Sequence, residues 1–508
     1  MEDLFFADYH LGDAGRIAKV NECHTTVITT PAHPAGQGYG LSNVLGAKGS
    51  EVMCAQHSVP FRRKTEMMLN GTVTGTAPFE FTRWRGFPSA MQTHQRLQRR
   101  LGVFDATAIG LGSMLGAGVF VVFSPATALA GPLMVVSVVI AGAIAYCNAV
   151  ASAQLAAKYP ASGGTYIYGR KQLGEWPGFI AGWGFVTGKT ASCAAMALTF
   201  GHYLVPAYAT PLAIAAVALL TAVNLMGITR TAFLTRILLG LVLATLVLVA
   251  VAGIAGPHPG PPGPGESVGS AWGVLPAAGL MFFAFAGYAR IATLGEEVKD
   301  PARNIPRAIL AALAAAFMIY LGLALLLLWH LSPQRLAESL SPLLDAVTSS
   351  GLSAGAPLVQ AGAVAACLGA LLALITGVGR TAMAMARERD LPAPLARVGG
   401  RHTVPFIAEL SVAAAVTVLL LTADVLTVVG FSSFGVLIYY AVTNAAAFTL
   451  AQRPGSAPRW LNAAGFVGCL LLAATLPITS VAGMAAVLAA GVAGRFLVLR
   501  LRKLRPRT

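Results

Sequence analysis

The stretch that decides the fold is GLGSMLGAGVF, residues 110–120. It lies inside an apolar run long enough to cross a bilayer, yet Gly110, Gly112, Gly116 and Gly118 fall within it. Glycine carries no Cβ penalty, so such a segment unwinds at little cost. In a membrane, unwound backbone is tolerated only around a cavity or inside protein. Gly112-x-x-x-Gly116 also reads as a small-residue packing motif, repeated at Gly178/Gly182 and Gly184/Gly188. The segment lacks GxGxxG spacing and a βαβ setting, which excludes a dinucleotide loop.

Outward from this stretch, the 508-residue chain is 56% apolar and 11% charged. Soluble domains carry about 25% charged residues, so this chain has too few to cover a water-facing surface. Twelve apolar segments fit the ~20 residues that cross a ~30 Å bilayer core. They lie near 103–129, 132–156, 177–204, 211–227, 232–254, 273–291, 307–330, 357–379, 404–422, 425–451, 460–477 and 481–498.

The net charge of +15 would point to nucleic acid in a soluble protein. Here the cations sit in alternate loops. Lys158, Arg170 and Lys171 mark one; Arg230 and Arg236 the next; then Lys299, Arg303 and Arg307. Arg387, Arg389, Arg397 and Arg401, then Arg453 and Arg459, complete the set, while the opposite loops hold only Arg335. Both tails are basic. The expectation is a plasma (inner) membrane protein with both termini cytoplasmic and no nucleic-acid partner.

Residues 1–95 read differently. They hold eight of the twenty acids and five of the nine histidines, with no spanning segment and no secretory leader. Their composition predicts a mostly disordered extension, and Met91, opening MQTHQRLQRR, is a candidate start. The rest divides into 96–254 (five spans), 273–451 (five spans), 460–498 (two spans) and a basic tail, 499–508. Gly- and Pro-rich 257–266 reads as an exposed outer loop.

The sixth segment, GLMFFAFAGYARIATLGEEVKDPARNIPRAIL (279–310), is short and ends abruptly in charge. Two interrupted spans separated by four others point to a site between two repeats of five helices. Lys189 stands mid-span in GWGFVTGKTASCAAM (182–196), and an intramembrane charge is a functional candidate by default. Its assigned role is coupling, with protons as the coupled ion. Spacing pairs Arg290 with Glu296 or Glu297. No HExxH motif or acid cluster lies at membrane depth, which argues against an enzyme; no cofactor or metal is called for.

These motifs resemble the amino acid–polyamine–organocation permease family. FDATAIGLGSMLGAGVF is similar to its first-span motif, and FFAFAGYARIATLGEEVKDPARNIPRAI to the sixth-span motif of its cationic amino acid transporter branch. RTAMAMARERDLPAPLARVGGRHTVP (380–405) resembles the loop after the eighth span. The resemblance implies an all-α integral membrane protein of about 12 transmembrane helices. It also implies a five-plus-five inverted repeat (LeuT-like) with two C-terminal helices, and a secondary transporter of amino acids.

It further implies that a substrate carboxylate sits on the backbone around Ser113–Gly118 and its amino group on carbonyls around Phe282–Phe285, with sixth-span aromatics as gate. The candidate binding residues are Gly112, Ser113, Met114, Gly116, Ala117, Gly118, Phe282, Phe283, Ala284, Phe285, Gly287 and Tyr288. Arg290, Glu296 and Glu297 would support the cytoplasmic side. The chain departs from the cationic branch in having Tyr288-Ala289 where that branch has Phe-Asp. It also has apolar residues near Val242, where some proton-coupled relatives carry a lysine. The competing readings are a polyamine or amine exchanger, which would favour an acid in the pocket, and a membrane-embedded amino acid sensor, which would need an output domain.

Overall fold

The computed structural model describes residues 16–18, 27–29, 101–159, 164–226, 232–256, 268–292, 297–399, 404–452 and 457–504. The expected start at Met91, the outer loop 257–266, Glu296, Arg230, Arg401 and Arg453 lie outside these residues. So does nearly all of the 1–95 extension. There, the described residues are two short strands, β1 (Arg16–Ala18) and β2 (Val27–Thr29), paired antiparallel.

From Leu101 onward the described elements are helices. The first apolar segment forms three pieces: α1 (Val103–Met114), α2 (Gly118–Val121) and α3 (Phe123–Ala130). There follow α4 (Met134–Lys158), a short connecting helix α5 (Gly164–Leu173), α6 (Glu175–Leu204), α7 (Ala209–Leu225) and α8 (Ala232–Ala255). The sixth segment is again split, into α9 (Val274–Phe285), a 3-10 turn (Ala286–Tyr288) and α10 (Ala289–Ala292). Then come α11 (Pro301–His330), two short helices α12 (Pro333–Glu338) and α13 (Pro342–Ser349), and α14 (Ala356–Arg387). The last four are α15 (Phe406–Thr422), α16 (Val425–Phe448), α17 (Arg459–Thr475) and α18 (Ile478–Leu504).

Nine helical segments among the described residues are long and apolar enough to cross a membrane, and α15 and α17 are shorter apolar helices. The chain is therefore a multi-pass membrane protein. Its outward surface is apolar: Leu219, Ile254, Met318 and Leu421 are exposed, as side chains facing hydrocarbon must be. Hydroxyls inside the helices return to their own backbone. Thr190, Thr199 and Thr221 donate to the carbonyls four residues back at 2.7 Å, which meets the donor of each of these three hydroxyls within its own helix.

Packing depends on small residues, because lipid provides no hydrophobic drive between helices. On α6, Gly184 and Gly188 lie against Gly435 of α16: a Cβ at Gly188 would stand 3.1 Å from the Gly435 Cα. The GxxxG face of the third apolar segment is thus consumed inside the chain. A polar cluster ties α4, α16 and α17 together. Asn444 Nδ2 donates to Asn148 Oδ1 (2.5 Å), and Asn462 Nδ2 to Gln154 Oε1 (3.2 Å).

Candidate substrate-binding site

The two broken segments touch backbone to backbone. The last ladder bond of α1 runs from the Leu115 N–H to Leu111 O (2.8 Å); the chain then leaves the helix until Gly118. A Cβ at Gly118 would stand 2.7 Å from the Ala284 Cα, and one at Gly287 would stand 2.6 Å from the Ser113 carbonyl oxygen. Only glycine permits both approaches. Tyr320 of α11, fully buried, secures the junction. Its hydroxyl lies 2.7 Å from Met114 O and 3.1 Å from Ala284 O, so it serves a freed carbonyl from each break.

Beside this junction lies a cavity of about 370 Å³. Ser113, Met114, Gly118, Phe283 and Gly287 line its inner end, and Lys189, Ser192 and Met196 of α6 form one wall. It continues past Arg290 and Glu297 to Tyr166, Arg380, Thr381 and Met383. A smaller cavity of about 160 Å³ lies between α1, α8 and α14 and shares Ser113, Arg290, Glu297, Ala370 and Ala373 with the first. On the other side of the break the chain is closed. Phe120 and Phe123 are fully buried, and the Tyr203 hydroxyl donates to Phe120 O (3.1 Å).

Of the candidate residues, Gly112 lines only the smaller cavity. Gly116 instead abuts Ala370 of α14, 2.9 Å from where its Cβ would be, and Ala284 abuts Gly118. Helical periodicity splits the sixth-segment aromatics. Phe283, Gly287 and Arg290 share the cavity face. Phe282 and Tyr288 instead pack on Tyr440, and Phe285 on Tyr320, with ring centroids 5.8, 5.2 and 5.0 Å apart. Phe283 is thus the expected gate aromatic that faces the cavity. Lys189, midway along α6, is 7% exposed, and no acceptor or carboxylate contacts it among the described residues. Tyr166, Phe185, Arg380 and Tyr439 line the cavity without having been singled out from sequence. Each stands outside the two broken segments, and their convergence is a tertiary fact.

At the cavity's far end is a charge cluster centred on Asp390. Asp390, just beyond α14, accepts from Arg170 Nη1 (2.8 Å), Arg495 Nη2 (2.9 Å) and the Tyr166 hydroxyl (2.9 Å). Arg170 also reaches Glu388, and Arg495 reaches the Glu175 carbonyl (3.0 Å) while stacking on Trp176. Burial and the Asp390 charge raise the Tyr166 hydroxyl well above the usual tyrosine range. Burial alone would lower Arg170, but Tyr166, Asp390, Glu388 and Glu175 together raise it above its ordinary value. Among the described residues no group of three His, Cys, Asp or Glu side chains forms a metal-binding cluster.

Comparisons with known proteins agree with this architecture. The family profile described as Amino acid permease matches residues 101–491. An uncharacterised transporter of Mycobacterium tuberculosis is 54% identical over 398 residues, covering 78% of this chain and 90% of its own length. A branched-chain amino acid permease of Bacillus subtilis is 28% identical, covering 63% and 74%. A chloroplastic cationic amino acid transporter of Arabidopsis thaliana is also 28% identical, covering 72% and 68%. With its broken helices meeting at one cavity and its profile match from end to end of the bundle, the chain is a membrane transporter that belongs to the amino acid permease family.

Proposed function

We propose that this permease moves an amino acid across the plasma membrane by alternating access around the cavity beside the α1–α2 and α9–α10 breaks. The observation that carries this is the meeting of the two unwound segments at that cavity, with Ser113, Gly118 and Gly287 on its wall. Unwound backbone at mid-membrane offers free N–H and C=O groups to a zwitterion. The substrate α-carboxylate sits on the Ser113–Gly118 backbone and the α-amino group on carbonyls of the sixth segment. Twelve spans, arranged as a five-plus-five inverted repeat with two C-terminal helices, place both termini in the cytoplasm. The cavity then opens inward, toward Asp390.

Lys189 couples the cycle to protons, because a buried cation at the substrate's depth changes charge most cheaply when the substrate arrives. An amine exchanger is disfavoured, since among the described residues Lys189, Arg290 and Arg380 line the cavity against Glu297 alone. The test is uptake of a labelled amino acid mixture by proteoliposomes holding the full chain, with and without an inward proton gradient. Gradient-driven accumulation supports a coupled permease, and uptake only into preloaded vesicles means exchange. Pre-steady uptake that keeps its pH dependence in Lys189→Ala would sink the coupling role. Absence of any uptake by folded, inserted protein would sink the permease reading.

A further inference from the structure

The cavity's charges are unequally answered. Arg290 and Glu297 line both cavities together. Arg380 lies within electrostatic reach of Glu409, a fully buried residue packed on Gly379. Lys189 has no such counterpart among the described residues. The nearest titratable side chain on its own helix is the Cys193 thiol, one turn on. The neighbouring hydroxyl, Ser192, is engaged with Ser432 at 2.5 Å. Around it on the cavity wall stand Phe185, Met196, Phe283 and Leu374. An ammonium in such a wall is costly until an anion meets it.

The α-carboxylate is already served by the unwound backbone, so the lysine is left for a second anion. We propose that Lys189 sets the choice of substrate side chain: it pairs with a side-chain carboxylate, so the site selects dicarboxylic amino acids and excludes basic ones. This rests on the permease reading. A basic side chain would bring a second cation beside Lys189, where no carboxylate contacts it among the described residues. A neutral side chain would leave the ammonium unmet. A carboxylate that binds only the protonated lysine also links substrate entry to proton entry, with the proton taken from solvent before binding.

Counterflow tests this without assuming a driving force. Full-length protein is reconstituted into liposomes preloaded with unlabelled glutamate, glutamine and lysine, and entry of each labelled amino acid is followed. Wild type is expected to favour glutamate over glutamine by roughly tenfold or more, the scale of one charge-assisted bond, and to reject lysine. In Lys189→Met and Lys189→Gln the glutamate-to-glutamine ratio should fall to about one, and Lys189→Glu should admit lysine. Two results would overturn the assignment while leaving the permease reading intact. One is wild-type counterflow of lysine equal to that of glutamate; the other is a ratio unchanged in both neutral variants. If wild-type protein that elutes as one folded species exchanges no amino acid, both readings fall together.

Discussion

Two buried charge sites in this chain are built in opposite ways. At the cavity's far end, Asp390 is 3% exposed in its side chain and receives Arg170, Arg495 and Tyr166 at 2.8–2.9 Å. Halfway along α6, Lys189 is as deeply buried and has no charged partner among the described residues. Natural proteins retain a buried charge either because its partners are complete or because its missing partner arrives from outside. Asp390 is the first case. It ties α5, the start of α6, the end of α14 and α18 into one unit, and so fixes Tyr166 at the cavity's edge. Lys189 has the geometry of the second, and the contrast is why we propose it as the residue that answers to substrate.

The sharpest way to break this comparison is to remove the shared acceptor. Asp390→Ala removes the one buried carboxylate that the Arg495 and Arg170 guanidinium groups share and leaves them only the more exposed Glu175 and Glu388. The expected cost is about 3–5 kcal/mol, read as a large fall in the detergent-solubilised unfolding midpoint. Asp390→Asn combined with Arg495→Met should recover part of that loss. A midpoint unchanged by Asp390→Ala would mean that the cluster does not hold these helices.

Next in size is the junction of the two breaks. Gly118→Val places its Cβ about where the Ala284 backbone already lies, with the nearest atom at 2.7 Å. Overpacking of this kind costs about 1–3 kcal/mol, and because it pushes the two unwound segments apart, transport should fall by a larger factor than stability does. Equal losses of transport and of folded protein would show that the junction is only packing. Tyr320→Phe is gentler. It removes the one O–H that the Met114 and Ala284 carbonyls share, about 1 kcal/mol. It should slow uptake while the protein still folds.

Two members of the cluster around Asp390, Tyr166 and Arg170, should also be insensitive to ordinary pH. Tyr166 and Arg170 both have raised proton affinities in the folded chain. A group whose folded value lies above its unfolded one contributes stability below the unfolded value and loses it as pH rises through the folded one. For a tyrosine that loss begins near pH 10 and for an arginine higher still. The unfolding midpoint should therefore carry no contribution from these two groups between pH 5 and 9. Any pH dependence of transport in that window must then come from groups other than these two.

The sequence makes the local features plain and hides the distant ones. The breaks in α1–α2 and α9–α10 announce themselves through Gly110–Gly118 and through a short apolar run ending at Arg290, because helix rupture is a property of neighbouring residues. Lys189 is visible for the same reason, as a lone charge in an apolar run. Tyr320 reaches Met114 across 206 residues, and Arg495 meets Asp390 from the last helix. No periodicity encodes either pairing. The sixth-segment aromatics fall between these cases. Their type is obvious, but which ring faces the cavity depends on the helix's rotation, and that is set by Tyr440 and Tyr320 on other helices.

The smallest expected effect bears most directly on the comparison. If Lys189 has no partner in the empty protein, replacing it with an apolar chain of similar length removes a desolvation cost and breaks nothing. Lys189→Met should therefore leave the unfolding midpoint unchanged or raise it, by at most about 1 kcal/mol in stability. Asp390→Ala, at similar burial, should lower it steeply. The variants separate further when substrate is added. Saturating glutamate should stabilise the wild type, since a ligand that binds only the folded state raises its stability with concentration, and it should stabilise Lys189→Met far less. A destabilised Lys189→Met would mean that the lysine is a structural charge like Asp390, and the two sites would no longer be opposites.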